Sequence, residues 1–259
     1  MGRSSCCEQG WDGVSGKYDE AVLLASGMGK RLKVASVPKA FYAIRGHPML
    51  IYPLTTLMSG GVRKFIIIVP QGYAEECRAI VGDLCDDFVV IENDKVERGN
   101  AYSLYLSEEH TSDRFFVSCA DTFYPTNVLS TLAAYGENGD IIVAGSKCWD
   151  CVDLGESCKI QSDNNRVLRI DKNLKEYDFI DMGVFIMGRS VYDVARRLKW
   201  KREVHLYQLI QRCVDYGLDV RVADCGGERW MEVDTMEDIN KLLSTDLVQR
   251  ILEGNYEKH

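Results

Sequence analysis

The sequence lacks the long apolar segments of membrane and secreted proteins. None of its apolar runs reaches the ~20 residues of a membrane-spanning helix. Residues 1–18 are polar and rich in glycine, and they have no apolar centre of the kind found in secretion signals. These absences predict a cytoplasmic protein without a membrane span.

Histidine is scarce, with four residues in the chain, whereas cysteine occurs ten times. Without a secretion signal, this many cysteines predicts reduced thiols, mostly in the core, rather than a disulfide scaffold. Cys148 and Cys151, with Cys158 nearby, have a metal-like spacing but lack a convincing fourth ligand. We therefore predict no zinc site, and a redox role for the Cys148–Cys151 pair stays open.

The remaining composition is that of a globular domain. Hydrophobic residues make up 46% of the 259 residues and charged residues 27%, which is enough for one large α/β domain. We predict a flexible N-terminal tail over residues 1–18 and a single folded domain over residues 19–259. The formal net charge is −8, and we expect no nucleic acid as a partner.

Acidic residues are missing between Ala21 and Ala74, although the chain as a whole is acidic. The same stretch contains seven basic residues: Lys30, Arg31, Lys33, Lys39, Arg45, Arg63 and Lys64. It begins with an apolar run that leads into Gly27-Met28-Gly29, and such glycines let backbone N–H groups approach an anion closely. We predict a buried strand that opens into a phosphate-binding loop in a locally positive field.

Two common glycine motifs do not fit this loop. A dinucleotide-binding fingerprint needs a third glycine where Leu32 lies, and an acid about 20 residues further on, where the chain has Arg45. A Walker loop ends in Gly-Lys-Ser/Thr, whereas Lys30 is followed by Arg31. A tight turn with solvated cations remains the alternative to a phosphate site.

Predicted strands and helices alternate through the first half of the chain. Strands are predicted over 41–44, 64–69, 88–91 and 114–118, and helices over 48–58, 73–81 and 100–109. This alternation predicts a doubly wound α/β fold, a three-layer sandwich around a mainly parallel, mixed sheet. Ligands bind such sheets beyond the carboxyl ends of the strands, where Asp121 is expected.

Residues 141–170 break the alternation. Three strands are predicted over 141–145, 158–161 and 167–170 with turns between them, and we interpret them as a small β-rich insertion beside the site. The pattern then predicts a strand over 179–187, helices over 190–199 and 205–216, and a strand over 218–223. Thr235 and Asp238 have the spacing of a capping box at the start of a final helix.

Six blocks of the sequence together resemble one family of enzymes. They are Gly27-x-Gly29-x-Arg31-Leu32, Pro38-Lys39, Glu97-Arg98-Gly99-Asn100-Ala101-Tyr102-Ser103-Leu104, Asp121, the segment from Lys172 to Phe185, and Trp230-x-x-Val233-Asp234-Thr235. Over roughly residues 20–245 this pattern resembles the sugar-phosphate-type nucleotidyltransferases, most closely the cytidylyltransferase group that includes inositol-1-phosphate cytidylyltransferase. The resemblance implies a nucleotidyltransferase catalytic domain of GT-A-like architecture.

The resemblance also implies a reaction. CMP would pass from CTP to a phosphorylated alcohol, expected to be inositol 1-phosphate, with release of CDP-inositol and pyrophosphate and with Mg²⁺ as the cofactor. Many relatives carry a fused membrane transferase that consumes the CDP-alcohol. Because this sequence ends soon after Tyr256, we expect that transferase to be a separate protein.

The same resemblance implies the site residues. Catalytic roles would belong to Lys39, Arg31 and Asp121. The nucleotide would be bound by Ala25, Ser26, Gly27, Gly29, Lys30, Arg31, Gly99 and Asn100, the last two facing the base. Asp121 and Asp234 would hold Mg²⁺, and Lys172 would contact the phosphate of the acceptor. From the residues themselves we also expect Asp178, Asp181 and Glu156 to contact the acceptor.

The segment over residues 153–181 carries the evidence on the acceptor's head group. A choline head group needs an aromatic cage, whereas a polyol needs groups that exchange hydrogen bonds with hydroxyls. The segment supplies Asp153, Glu156, Asp178 and Asp181, but only Tyr177 and Phe179 as aromatic residues. This favours inositol 1-phosphate over phosphocholine or a phosphonate, and a sugar 1-phosphate stays open.

Other interpretations stay open as well. A nucleotide-sugar glycosyltransferase of similar architecture needs an Asp-x-Asp metal site, but Phe123 lies two residues after Asp121. A nucleotide-sensing regulatory subunit typically loses a charged site residue, and the charged residues of the resemblance are all present. Taken singly, Asp234 and Asn100 also fit helix N-termini and Lys172 a solvated turn.

Overall fold

The computed structural model describes residues 18–29, 31–32, 37–136, 139–150 and 152–253. The strands in these ranges are β1 (Glu20–Leu24), β2 (Ala43–Ile44), β3 (His47–Pro48), β4 (Lys64–Pro70), β5 (Phe88–Asn93), β6 (Arg114–Cys119), β7 (Thr122–Phe123), β8 (Ile141–Ser146), β9 (Lys159–Asp163), β10 (Arg166–Asp171), β11 (Phe179–Gly188), β12 (Val220–Asp224) and β13 (Met231–Glu232). The helices are α1 (Ile51–Ser59), α2 (Ala74–Gly82), α3 (Asn100–Leu106), α4 (Asn127–Tyr135), α5 (Ser190–Ala195), α6 (Leu206–Asp215), α7 (Met236–Leu243) and α8 (Leu247–Glu253).

A mixed sheet of nine strands lies at the centre, in the order β5-β4-β1-β6-β11-β8-β12-β10-β9. Strands β5, β4, β1 and β6 run parallel, and so do β8 and β12, whereas β11 is antiparallel to both β6 and β8. The N-terminal residues of β11 therefore lie at the edge of the sheet where β1 and β6 end. Polar residues that follow β1 and β6 meet residues that open β11 at this edge.

Helices cover both faces of this sheet, because side chains along each strand alternate between the faces. In β1, Ala21 and Leu23 pack on one face with α1, α2 and α4, while Val22 and Leu24 pack on the other with α3, α5 and α6. Burial on both faces explains why these strands are continuous apolar runs in the sequence. The predicted three-layer α/β sandwich is confirmed.

Some predicted elements differ from the structure. The strand predicted over 141–145 is β8, which lies inside the sheet between β11 and β12 rather than in an insertion, because it is buried on both faces. Only the β9–β10 hairpin extends the sheet at its edge. Residues 39–41 form a 3₁₀ helix where a strand was predicted from residue 41. Helices α4 and α8 were not predicted.

The predicted tail over residues 1–18 lies outside the described residues except for Tyr18, which is buried and packs edge-on against Phe116 with ring centroids 5.7 Å apart. Cys151 also lies outside them, so the Cys148–Cys151 pair stays a matter of prediction. No helix in the described part of the chain is long and apolar enough to cross a membrane.

The unpredicted helix α4 offers a test of the packing. Leu132 is fully buried in the core between α4 and the sheet, whereas Leu168 on β10 is 46% exposed. Leu132→Ala is expected to lower the free energy of unfolding by about 2–5 kcal/mol, because it removes buried methyl groups and leaves a cavity. Denaturant unfolding measures this free energy, and Leu168→Ala, the same substitution at an exposed position, is the control. Equal losses in the two variants would show that α4 does not pack on the sheet.

Candidate active site

The glycine loop follows β1 and is held in place by the backbone of Lys39. The N–H of Lys39 donates to the carbonyl oxygen of Gly27 at 3.1 Å. Gly29 has a φ of +62°, and a Cβ there would lie 3.0 Å from the Cβ of Lys39. Only glycine lets the loop adopt this conformation so close to the lysine. Lys30, which was also predicted to bind nucleotide, lies outside the described residues.

A buried row of polar side chains ties this loop to the next elements. The hydroxyls of Ser26 and Ser103 are 2.7 Å apart, and Nδ2 of Asn93 donates to Oγ of Ser103 at 3.1 Å. Ala25 lies beneath the loop, where its N–H donates to the carbonyl oxygen of Ile68 at 2.8 Å. Ser26 thus has a structural partner on α3, and Ala25 supports the loop from the sheet.

Lys39 is the buried centre of the site. Its side chain is 6% exposed, and its Nζ lies 2.6 Å from Oδ2 of Asp121 and 2.5 Å from Oδ1 of Asp234. Burial alone lowers the pKa of a lysine, but the carboxylates of Asp121, Asp234 and Glu232 outweigh it, so the pKa of Lys39 lies above its ordinary value. Lys39 is therefore a fixed positive charge at any pH near neutrality.

Pairing of two short strands brings the two aspartates together. Glu232 on β13 is opposite Thr122 on β7, and the N–H of Val233 donates to the carbonyl oxygen of Asp121 at 3.0 Å. Asp234 consequently lies beside Asp121, at the start of α7. The predicted capping box is confirmed: Thr235 accepts from the N–H of Asp238, so the side chain of Asp234 is not needed as the cap.

Three carboxylates form a cluster that fits a divalent cation. Asp121, Glu232 and Asp234 each offer an oxygen within 4.8 Å of the others. Oδ1 of Asp121 is buried without a hydrogen-bond partner among the described residues, and hard oxygen ligands suit Mg²⁺. The pKa of Glu232 is raised, most by desolvation and next by the negative charges of Asp121 and Asp234, although part of its side chain reaches solvent. Glu232 was not predicted as a ligand; its position two residues before Asp234 was the available signal.

Arg31 links this cluster to the predicted acceptor residues. Its Nη2 lies 2.8 Å from Oδ2 of Asp234, and its Nη1 lies 3.4 Å from Oε2 of Glu156. The same oxygen of Glu156 is 3.7 Å from Nζ of Lys172. Arg31 and Glu156 are both more than half exposed, so these contacts are weak and open to rearrangement when an anion binds.

Two cavities meet at the cluster. The loop cavity, about 370 Å³, is lined by Ser26, Gly27, Met28, Gly29, Lys39, Val96, Glu97, Gly99 and Glu203, among others. The inner cavity, about 230 Å³, is lined by Cys119, Glu156, Cys158, Lys172, Asp181, Phe185, Tyr207 and Glu232, among others. Arg31, Asn100, Asp121, His205 and Asp234 line both. A larger groove of about 900 Å³ beside α6 contains none of the predicted site residues.

The structure separates two aspartates that were predicted to act together. Asp181 lines the inner cavity, and burial raises its pKa to about 7 even though its Oδ1 accepts a hydrogen bond from the N–H of Gly183 at 2.8 Å. Asp178 lies in another groove, where its Oδ2 accepts from the N–H and hydroxyl of Ser162 at 2.7 and 3.1 Å. The structure thus brings Asp181, and not Asp178, to the site.

Gly99 and Asn100 hold a neighbouring segment against α3. A Cβ on Gly99, whose φ is +85°, would lie 2.4 Å from the carbonyl oxygen of Val204. Oδ1 of Asn100 accepts a hydrogen bond from the N–H of Leu206 at 2.7 Å. The segment 203–206 thereby adds Glu203 and His205 to the loop cavity. Sequence reasoning missed both, because neither belongs to a motif.

Comparison with known proteins identifies the family. Residues 21–178 match the family model described as the MobA-like NTP transferase domain. The structure of the inositol-1-phosphate CTP transferase from T. maritima matches with a TM-score of 0.88 and 37% sequence identity, covering 93% of this chain and 98% of that one.

This chain belongs to the MobA-like NTP transferase family. A curated relative from Archaeoglobus fulgidus, named bifunctional IPC transferase and DIPP synthase, is 32% identical over 239 residues, which are 92% of this chain and 46% of that protein. A glucose-1-phosphate thymidylyltransferase from Actinoplanes sp. is 36% identical over 247 residues, 90% of this chain and 79% of that protein. The NTP transferase chain thus spans about half the length of the bifunctional relative.

The buried carboxyl of Asp181 makes the stability of this NTP transferase chain depend on pH. Its folded pKa of about 7 exceeds the ordinary value of 3.8, so between these pH values the folded protein keeps a proton that the unfolded chain releases. The free energy of unfolding should therefore fall as the pH rises from about 4 to about 7. Asp181→Asn should reduce this fall in denaturant unfolding. A fall as steep as in the wild type would contradict the prediction, and Glu156→Gln on the same cavity is the exposed control.

Proposed function

We propose that this NTP transferase chain transfers CMP from CTP to inositol 1-phosphate, producing CDP-inositol and pyrophosphate. The observation that carries the proposal is the meeting of two cavities at Asp121 and Asp234, the two carboxylates that pair with the buried cation Lys39. Similarity to the inositol-1-phosphate CTP transferase from T. maritima supports the choice of both substrates.

The loop cavity is the proposed site of the nucleotide. Backbone N–H groups of the loop at Gly27 and Gly29 would bind the phosphates, together with the exposed guanidinium of Arg31. Both reactants are anions, since the second pKa of a phosphomonoester is about 6. The main task of the site is to overcome their repulsion, and the permanent charge of Lys39 serves this in the loop cavity, next to Asp121 and Asp234.

The carboxylate cluster is the proposed site of Mg²⁺. Asp121 and Asp234 would hold the ion, and Glu232 is available as a third ligand. When bound, Mg²⁺ would neutralise charge on the triphosphate and polarise the reacting phosphate. Both aspartates contact Lys39, and these contacts fix the orientation of the two carboxylates.

The inner cavity is the proposed site of the acceptor. Lys172 would neutralise the phosphate of the acceptor, while Glu156 and Asp181 would bind hydroxyls of a polyol. The aromatic residues among the described residues that line this cavity are Phe185 and Tyr207, which are too few for the cage that a quaternary ammonium needs. This lining supports inositol 1-phosphate over phosphocholine.

A sugar 1-phosphate is the second candidate acceptor, because the relative from Actinoplanes sp. is named a glucose-1-phosphate thymidylyltransferase. A polyol phosphate and a sugar phosphate present the same chemistry to Lys172 and Asp181. We further propose that the product passes to a CDP-alcohol transferase, as the paired activities in the name of the Archaeoglobus fulgidus relative suggest for that protein, and that the reaction takes place in the cytoplasm.

Substrate choice is tested by release of pyrophosphate from four nucleotides, CTP, UTP, ATP and GTP, with Mg²⁺. The acceptors are inositol 1-phosphate, glucose 1-phosphate, phosphocholine and 2-aminoethylphosphonate at equal concentration. We expect the highest kcat/KM with CTP and inositol 1-phosphate, since the inner cavity offers hydrogen-bonding groups to several hydroxyls. Preference for glucose 1-phosphate with UTP would support the second candidate, and nucleotide binding without turnover would indicate a nucleotide sensor.

Two substitutions test the cluster. Lys39→Ala and Asp121→Asn are each expected to lower kcat by about 100-fold or more, because each removes charge that stabilises the transition state. The matched controls are Lys175→Ala and Asp178→Asn. Both residues line a separate groove away from the two cavities, so these substitutions should leave kcat unchanged. Normal turnover in either cluster variant, with the fold intact by circular dichroism, would rule out its proposed role.

A further inference from the structure

His205 lies where the loop cavity and the inner cavity meet. It is one of the five residues that line both. Arg31, Asp121 and Asp234 belong to the ion-pair cluster, and Asn100 uses its carbonyl oxygen on Leu206. If the two cavities hold the two substrates, His205 lies next to the phosphates that react.

The backbone on both sides of His205 is bound to residues at the start of α3 and just before it. The N–H of Val204 donates to the carbonyl oxygen of Arg98 at 2.9 Å, and the carbonyl oxygen of Val204 accepts from the N–H of Ala101 at 3.2 Å. On the other side, the N–H of Leu206 donates to Oδ1 of Asn100 at 2.7 Å. These hydrogen bonds fix Val204 and Leu206, and so restrain the backbone of His205 between them.

The ring of His205 is restrained as well. It stacks on the ring of Tyr207 with centroids 5.7 Å apart and an interplanar angle of 10°. The backbone N–H of His205 donates to Oε1 of Gln208 at 2.8 Å, so the residue is held at the entrance to α6. A half-buried imidazole with a fixed backbone and a stacked ring is preorganised to donate a hydrogen bond.

We propose that His205 is a catalytic residue of the nucleotidyl transfer, and that Asn100 is a positioning residue that acts through it. This inference rests on the function proposed above. A phosphate oxygen of the acceptor forms a bond to the α-phosphorus, the bond from that phosphorus to the bridging oxygen breaks, and pyrophosphate leaves with the electron pair. A ring N–H of His205 donates a hydrogen bond to a phosphoryl oxygen throughout, and no proton is transferred.

This assignment gives a physical role to the Gly99-Asn100 pair that differs from reading the base. Gly99 permits the close approach of Val204, and Asn100 binds the next anchored residue. Loss of the side chain of Asn100 would therefore loosen the segment that carries His205. Such a loss affects transfer more than it affects binding of the nucleotide.

Substitution of His205 tests the catalytic role. His205→Ala should lower kcat by about 100-fold while the KM for CTP stays close to that of the wild type, because the hydrogen bond matters most in the transition state. His205→Asn or His205→Gln should recover about tenfold of this loss through an amide N–H near one ring nitrogen. Exposed His110→Ala is the control. Unchanged kcat in His205→Ala, or a loss with no recovery in either amide variant, would overturn the proposal.

A double-mutant cycle tests Asn100. If Asn100 acts through His205, the variant with both Asn100→Ala and His205→Ala should have the same kcat as His205→Ala alone. Independent, multiplying losses would overturn the positioning role. Asn240→Ala, on the exposed side of α7, is the control for loss of an asparagine.

Nuclear magnetic resonance separates failure of this inference from failure of the proposed function. Turnover of CTP and inositol 1-phosphate by the wild type reports the function in the same assays. Independently, the ring nitrogens of His205, assigned by their absence in His205→Asn, should shift when CTP and Mg²⁺ are added. If the protein turns over but the His205 resonances do not shift, the contact between His205 and a phosphoryl oxygen is disproved. If the resonances shift but there is no turnover, the contact stands and the proposed reaction is rejected.

Discussion

The ion pairs of Lys39 with Asp121 and Asp234 set the geometry of the whole site. A buried ammonium without a partner costs several kcal/mol, and two carboxylates side by side repel each other unless a cation lies between them. Each of the three residues therefore needs the others. Three elements meet here: the 3₁₀ helix that begins at Lys39, the loop that follows β6, and the paired strands β7 and β13. The charges of Lys39 and the two aspartates are balanced only when these elements are in place.

Charges outside this centre are held less firmly, and that difference suits a site for two anions. Arg31, Glu156 and Lys172 form a half-exposed chain of contacts at 3.4 to 3.7 Å, and exposed pairs of this kind contribute little to stability. A phosphate that displaces Glu156 from Arg31 or Lys172 therefore meets little resistance. The site therefore combines one fixed cation, Lys39, with two cations, Arg31 and Lys172, whose contacts with Glu156 can rearrange.

Local sequence patterns indicated several residues of the site, but they did not indicate the contacts that place these residues there. The Gly99-Asn100 pair, predicted to face the base, lines the loop cavity, yet its conformation serves Val204 and Leu206, which are distant in sequence. Asp178 and Asp181 looked equivalent in the sequence. A hydrogen bond to Ser162 holds Asp178 at the β9 hairpin, while the antiparallel direction of β11 carries Asp181 to the end of β6. His205 has no motif, so only the folded chain reveals it.

The sequence by itself determined which stretches are strands buried on both faces, where the glycine loop lies, and which charged residues belong to the family pattern. These features depend on neighbours within a few residues, namely apolar runs, glycines and capping residues. The tertiary structure alone decided that β8 lies inside the sheet, that Asp234 lies beside Asp121, and that Glu232 and His205 join the site. The reason is that strand order and strand pairing depend on contacts between residues far apart in the chain, and no local pattern encodes their partner.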